Sequence, residues 1–341
     1  MSLIVVSSER FAEHQTPPGH PESPERADAL DVVANEWRRR KGEVVAPPEA
    51  TREQLGRVHD AEYLKRIDET AGVAMALDQD TYTSPETREI ARLAAGACVV
   101  AVERVMSGKN TRALVLVRPP GHHAERNRAM GFCFYNNIAV AAAHARTLGA
   151  SKVAIVDYDV HHGNGTQHIF ERDPNVLYCS VHQYPYYPGT GSAREVGEGE
   201  GAGLTVNLAL EGGATDDDYH QVFDEVVIPV VRAFAPDLIL VSAGVDAHEH
   251  DPLGGMRLTT PAFGAMTMAL RLVADECCQG RIAAVTEGGY DLRALRDSLV
   301  SVVDALAAEH SETAKWPSSS IASTRGATAS AATRAALAQV R

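Results

Sequence analysis

Seven short apolar runs constrain this chain more than any other feature, because most of them are continuous rather than alternating. They cover residues 3–7, 113–118, 153–160, 176–182, 204–210, 238–244 and 282–286. A strand with one wet face alternates polar and apolar residues, whereas an unbroken run fits a strand buried on both faces. Longer amphipathic stretches lie between the runs. Ser84 and Pro85 predict a helix start and Gly108 its end. Residues 136–148 are alanine-rich and stop at Gly149. Residues 218–234 contain Pro229, which should kink or split a helix. Thr260 is expected to cap a helix opening at Pro261, and residues 292–309 form the last long amphipathic segment. Strands alternating with helices predict an α/β fold with a parallel sheet. No Pro/Gly-rich linker divides residues 1–310, which are expected to form one domain. Residues 311–341 are rich in Ser, Thr and Ala and carry Arg325, Arg334 and Arg341. They read as a peripheral or disordered tail.

Charge and cysteine usage narrow the partners. The chain has 32 Lys and Arg against 45 Asp and Glu, a net charge of −13, which disfavours nucleic acid or anionic lipid as a direct ligand. No run approaches the ~18 apolar residues of a spanning helix. The opening MSLIVVSSER reads as a first strand, not a signal peptide. Cys98, Cys133, Cys179, Cys277 and Cys278 are odd in number and irregularly spaced, so neither a disulfide framework nor a thiolate zinc site is expected. The simplest compartment is a reducing one, the cytoplasm.

Ligands of open parallel sheets bind beyond the carboxyl ends of the strands. Four predicted strand ends here deliver polar groups: RPPGHH (His122, His123), DYDVHHGNG (Asp157, Asp159, His161, His162, Asn164), SAGVDAHEHDP (Asp246, His248, His250) and EGGYD (Glu287, Tyr290). In an extended segment Asp159 and His161 point to the same side and can grip one ion. Asp246, from another strand end, is the natural third ligand, and such a set leaves a position open, as a catalytic zinc requires. The competing reading makes Asp157 and Asp159 caps and His161 a core residue, but so dense a pair of buried carboxylates calls for a compensating cation. His122 and His123 suggest a general base and the residue that orients it. Tyr290, after two glycines, suggests a donor to an oxyanion, against the alternative of simple packing over a turn. The aromatic clusters at 131–135 and 184–187 would line a slot for an aliphatic chain or pack as core. GEGEGAG at 197–203 carries two glutamates and precedes a strand, so it is not expected to bind phosphate. His248 and His250 are expected at the surface.

Taken together, RPPGHH, GFCFYNN, DYDVHHGNGTQ, SVHQ, YPGTG, SAGVDAHEHDPLGGM and EGGY resemble the histone deacetylase superfamily, including the bacterial amidohydrolases and acetylpolyamine amidohydrolases. GHPESPER also looks like that family's first loop, and the resemblance runs from about His20 to about Asp304. It implies the arginase/deacetylase fold, with a parallel sheet of about eight strands and helices on both faces. It implies Zn2+ bound by Asp159, His161 and Asp246, His123 as base and acid with His122 beside it, and Tyr290 polarising the carbonyl. Asp157 and Asn164 would support the two histidines. A structural K+ would use Asp157, Asp159, His161, Ser180 and Val181, and a second K+ would lie near Phe170, Asp173 and Val176. Gly131, Phe132, Tyr187, Leu253, Gly288 and Gly289 would form the acyl-chain tunnel, with Arg26 at its inner end.

Two departures inform the subclass. Asn164 stands where some members have aspartate, resembling the class II pattern, and Val245 where phenylalanine is common. Leu253 stands where polyamine-specific relatives have glutamate, which favours acyl-lysine over acetylpolyamine. The expected reaction is attack of metal-activated water on an acylated amine. Two rivals are an acetylpolyamine amidohydrolase and, from another class, a non-catalytic acyl-lysine-binding module on the same fold. A homo-oligomer is compatible with the sequence.

Overall fold

The computed structural model describes residues 2–309 and 313–340. In chain order the strands are β1 (Leu3–Val6), β2 (Glu43–Val45), β3 (Met75–Ala76), β4 (Tyr82–Thr83), β5 (Arg112–Val115), β6 (Val153–Asp157), β7 (Val176–Gln183), β8 (Thr205–Leu210), β9 (Leu238–Ala243) and β10 (Ile282–Thr286). The main helices are α1 (Glu25–Arg39), α2 (Arg52–Leu55), α3 (Ala61–Asp68), α4 (Thr87–Met106), α5 (Asn137–Thr147), α6 (Asn164–Phe170), α7 (Asp216–Val222), α8 (Ile228–Phe234), α9 (Thr260–Cys277), α10 (Leu292–Ala307) and α11 (Arg325–Leu337).

Eight strands form one sheet in the order β2-β1-β5-β10-β9-β6-β7-β8, every pairing parallel. Alternate residues of each strand feed opposite cores, as the two-residue period requires. Leu3, Val5, Leu114, Ala154 and Val156 face one core, covered by α1 and the helices from α7 onward. Ile4, Val6, Ala113, Val115, Val153 and Ile155 face the other, covered by α3, α4 and α5. The continuous runs follow from this two-sided burial.

β5 and β6 end three residues earlier than the apolar runs suggested. Past β5 and β6, side-chain oxygens replace the strand ladder: Val117 N–H donates to Thr286 Oγ1 (2.8 Å), Asp159 N–H to Asp157 Oδ1 (3.1 Å) and Val160 N–H to Asp246 Oδ1 (2.8 Å). Ser84 is not the cap of α4, which opens at Thr87, because its Oγ is engaged by Gln15 N–H and by Thr87 Oγ1. Thr259, not Thr260, stands at the cap of α9. Around Pro229 the chain widens into a π turn, Phe223–Val227, before α8, which absorbs the missing N–H donor. The tail, expected to be peripheral or disordered, carries α11. That helix packs on β8 and α7, with Gly326 N–H donating to Asp218 Oδ1 (2.8 Å) and Thr333 Oγ1 to the Asn207 carbonyl (2.7 Å). Among the described residues no helix is long and apolar enough to cross a membrane.

Candidate active site

The four strand ends singled out from the sequence belong to β5, β10, β9 and β6, four consecutive neighbours at the middle of the sheet. All strands run the same way, so their carboxyl ends open onto one edge. There Asp159, His161 and Asp246 each offer a ligand atom, and these atoms lie within 4.8 Å of one another. His161 Nδ1 is 3.2 Å from Asp159 Oδ1 and 3.1 Å from Asp246 Oδ2.

The cradle is built for converging carboxylates. A Cβ on Gly288 would lie 2.1 Å from Asp246 Oδ2 and 2.7 Å from Asp159 Oδ2, and one on Gly244 would lie 1.9 Å from Asp159 Oδ2. Burial, and then the charge of Asp159, push Asp246 up to about 7. Burial also opposes ionisation of Asp159, but His122 and His161 outweigh it and hold that carboxyl below its ordinary value. Two buried carboxylates at such close range repel, and a cation relieves them. The donor set therefore fits a divalent ion with O, N and O ligands.

Two imidazoles sit beside this group, their centroids 4.1 Å apart. Asn164 Nδ2 donates to Glu125 Oε1 (2.6 Å), so its Oδ1 faces His123 Nδ1 (2.8 Å). That nitrogen therefore carries the hydrogen, and Nε2 keeps its lone pair. His122 Nδ1 lies 3.1 Å from Asp157 Oδ2. The environments drive the pair apart. Burial disfavours the charged form of His122, but Asp159 and Asp157 overcome it and raise its pKa to about 10. Burial, with cationic His122 and His161 close by, takes His123 well below the ordinary histidine value.

A cavity of about 230 Å³ leads to this edge, lined by Asp80, His123, Gly131, Phe132, His161, Tyr186, Tyr187, Leu253 and Tyr290. Gly131 has a left-handed backbone (φ +57°), and a Cβ there would meet His123 Cδ2 at 2.5 Å. Gly288 and Gly289 lie beneath the site rather than on the cavity wall: Gly288 N–H donates to Asp159 Oδ2 (2.7 Å), and the Gly289 carbonyl accepts from Arg26 Nε (2.8 Å). Arg26 also reaches the Glu287 carbonyl (2.6 Å), and its guanidinium carbon lies 5.0 Å from the centre of the Tyr290 ring. Burial raises the Tyr290 pKa well above the usual value, so its hydroxyl keeps its proton.

Ser180 Oγ lies 2.8 Å from His182 Nδ1, and Ser180 pairs with Asp157 across β6 and β7. Phe170, Asp173 and Val176 share the turn between α6 and β7, with Asp173 N–H on the Phe170 carbonyl and Asp173 ion-paired to Arg146. His248 is buried, not at the surface as expected: its Nε2 meets Thr260 Oγ1 (3.1 Å) and its ring stacks on Phe263. His250 is exposed.

Several pairings escaped the sequence reading, including those of Glu287, a residue the sequence did place at a strand end. Glu287 accepts from Gly121 N–H (2.7 Å) and His122 N–H (3.1 Å), fixing the histidine turn. Asp251 accepts from Tyr290 N–H (2.6 Å) and Leu253 N–H (2.9 Å), tying the tyrosine to the cavity rim. Glu22 bridges buried Arg26 (2.9 Å) and Arg118 (2.7 Å). The signal for Glu22 was its place in GHPESPER, four residues before Arg26; Asp251 gave none.

The histone deacetylase domain family matches residues 20–306. Histone deacetylase 15 of Arabidopsis thaliana is 42% identical over 301 residues, which is 86% of this chain and 54% of that protein. The chain thus spans about half the length of that plant relative. A histone deacetylase-like amidohydrolase of Pseudomonas aeruginosa is 42% identical over 280 residues, 80% of this chain and 73% of that protein. The crystal structure of the HDA15 HD domain superposes with a TM-score of 0.92 at 37% identity, covering 99% of this chain and 96% of that one.

Proposed function

Because this chain belongs to the histone deacetylase domain family, we propose that it is a zinc-dependent amidohydrolase that removes an acetyl or short acyl group from an acylated amine, with acetyl-lysine as the preferred substrate type. The observation that carries this reading is the meeting of Asp159, His161 and Asp246 with His123 and Tyr290 around the inner end of one cavity. Asp159, His161 and Asp246 would hold the ion, which when bound acidifies a water molecule and polarises an amide carbonyl.

The chain's own groups do the rest. Gly131, Phe132 and Tyr187 hold the aliphatic chain of the substrate. Neutral His123, its Nδ1–H fixed on Asn164, accepts the water proton at Nε2 and returns it to the leaving nitrogen. The Tyr290 hydroxyl donates to the carbonyl oxygen as negative charge grows there. Arg26 holds the Tyr290 loop by the Gly289 carbonyl and Asp251 by the Tyr290 N–H. Asp157 and Ser180 belong to a proposed structural K+ site with the main chain of Asp159, His161 and Val181, and Phe170, Asp173 and Val176 to a second.

Acetylpolyamine is the second substrate reading, favoured by the carboxylate of Asp80 in the cavity wall and opposed by apolar Leu253 in the same wall. Steady-state hydrolysis of an acetyl-lysine peptide and of N-acetylspermidine by the zinc-loaded protein separates the two. We expect turnover of both with the peptide ahead; turnover of neither would overturn the enzyme reading in favour of a non-catalytic binding module.

A further inference from the structure

The segment carrying Tyr186 and Tyr187 leaves β7 and returns across the cavity mouth, and its far end rests on three polar side chains. Thr190 Oγ1 meets His162 Nδ1 (2.8 Å). The Gly191 carbonyl meets His182 Nε2 (2.8 Å). The N–H groups of Gly191 and Ser192 donate to the Glu195 carboxylate (3.0 and 2.8 Å). The backbone presses directly on the two imidazoles, because a Cβ on Gly191 would lie 2.5 Å from both His162 Cγ and His182 Nε2.

These contacts have a fixed direction. Glu195, as a carboxylate, only accepts, so Gln167 donates to it through Nε2 (2.7 Å). Gln167 therefore turns Oε1 toward His162 Nε2 (2.8 Å) and Asn207 Nδ2 (2.8 Å). His162 must carry its hydrogen on Nε2, which leaves Nδ1 to accept from the Thr190 hydroxyl. One carboxylate thus sets the orientation of a buried amide, the tautomer of a buried histidine next to His161, and the anchor of the aromatic wall. We propose that Glu195 is a positioning residue for the Tyr186–Tyr187 wall, acting through Gln167 and His162 and thereby tuning which acyl chains the cavity accepts. The acyl-chain part rests on the function proposed above.

The bond between residues 195 and 167 can be inverted rather than merely deleted. In Glu195→Gln the new carbonyl oxygen can still accept from Gly191 and Ser192, but its amide nitrogen faces Gln167 Nε2, donor against donor. Turning the Gln167 amide to relieve this sets its nitrogen against the Nε2–H of His162. The double variant Glu195→Gln/Gln167→Glu restores these pairs with only the 195–167 hydrogen bond reversed: a carboxylate at 167 accepts from the new amide and still accepts from His162 and from Asn207. A role limited to filling space would not distinguish these variants.

Two readouts test the proposal on the full chain. Amide hydrogen exchange over residues 186–192 reads the wall without any reference to catalysis. It should accelerate about tenfold in Glu195→Gln, the scale of one lost hydrogen bond, and return to within about twofold of the parent in the double variant. The ratio of kcat/KM for acetyl-lysine to butyryl-lysine peptide should shift about fivefold in the single variant and return in the double. Parental exchange in Glu195→Gln, or accelerated exchange that the double variant does not repair, overturns the positioning role. Repaired exchange with a constant acyl ratio overturns its link to selectivity. A parent protein that turns over neither peptide counts against the proposed function, and the exchange experiment still decides the positioning role.

Discussion

Gly288→Ala is the most demanding substitution the site offers, because it adds one methyl group where two carboxylates converge. The added Cβ would lie 2.1 Å from Asp246 Oδ2, against the 3.0 Å below which something must shift. The backbone cannot retreat easily. Arg26 holds the carbonyls on either side of Gly288 at 2.6 and 2.8 Å, Gly288 N–H is bonded to Asp159 at 2.7 Å, and Asp251 holds Tyr290 N–H at 2.6 Å. The carboxylates must therefore turn, by close to 1 Å, away from the point they share with His161. Overpacking of this kind costs about 1–3 kcal/mol of stability, and disturbing the support of metal ligands costs about 10–100-fold in affinity. Thermal unfolding and a zinc titration against a chromophoric chelator measure the two separately. A variant with the parental Tm and a zinc Kd within about threefold of the parent would refute the claim that Gly288 makes room for the ligands.

Other outcomes follow from single side chains. Tyr290→Phe should lower kcat about 10²–10³-fold with metal content unchanged, the scale for removing an oxyanion donor; metal analysis and steady-state kinetics check this. His123 must be neutral to take a proton, and burial with cationic neighbours holds its pKa below the ordinary value. The acid limb of kcat/KM against pH should accordingly fall below pH 6.5, and a limb centred above 7 would contradict the assignment. Leu253→Glu should move preference from acetyl-lysine peptide toward N-acetylspermidine, read as the ratio of the two kcat/KM values. Burial alone would raise Glu22, but Arg118, His14 and Arg26 outweigh it and hold its pKa near 2. Because that pKa is depressed, the stability it contributes is present above its unfolded value near 4.5 and is lost as pH falls toward 2. Glu22→Gln should cost about 3–5 kcal/mol at neutral pH by leaving two buried guanidiniums without a counter-charge. It should also flatten the acid unfolding transition, as followed by circular dichroism.

What the sequence could and could not disclose divides along physical lines. A run such as VAIVD is apolar on both sides of the chain, so its place in a buried parallel strand is written locally. The Asp and His residues that follow it can then be placed at the sheet edge by topology alone. Asp159, His161 and Asp246 were legible for that reason. The edge strand β2 has three residues and no such run, and it passed unseen. Asp251 and Glu287 accept from backbone N–H groups far away in sequence, and Glu195 from the distant Gln167 amide, and nothing local marks which partners such a carboxylate will meet. His248 sits in a polar stretch, and only the packing of Phe263 and Thr260 around it accounts for its burial. Composition left the tail open between a peripheral and a disordered segment, and its helix was not marked. Gly326, Ala329, Ser330 and Thr333 are small and weakly apolar, which reads as unstructured chain, yet small residues are what let α11 approach β8 and α7 closely.

The central claim is that two carboxylates and one imidazole hold a single divalent ion at the middle of the sheet edge. Elemental analysis of the purified chain after dialysis against zinc tests it most directly, with Asp159→Ala and Asp246→Ala analysed alongside. The account predicts one tightly held ion per parent chain and none in either variant, both still folded. Retention of the ion by both variants, or a parent chain that hydrolyses acetyl-lysine peptide at full rate after exhaustive chelation, would contradict it.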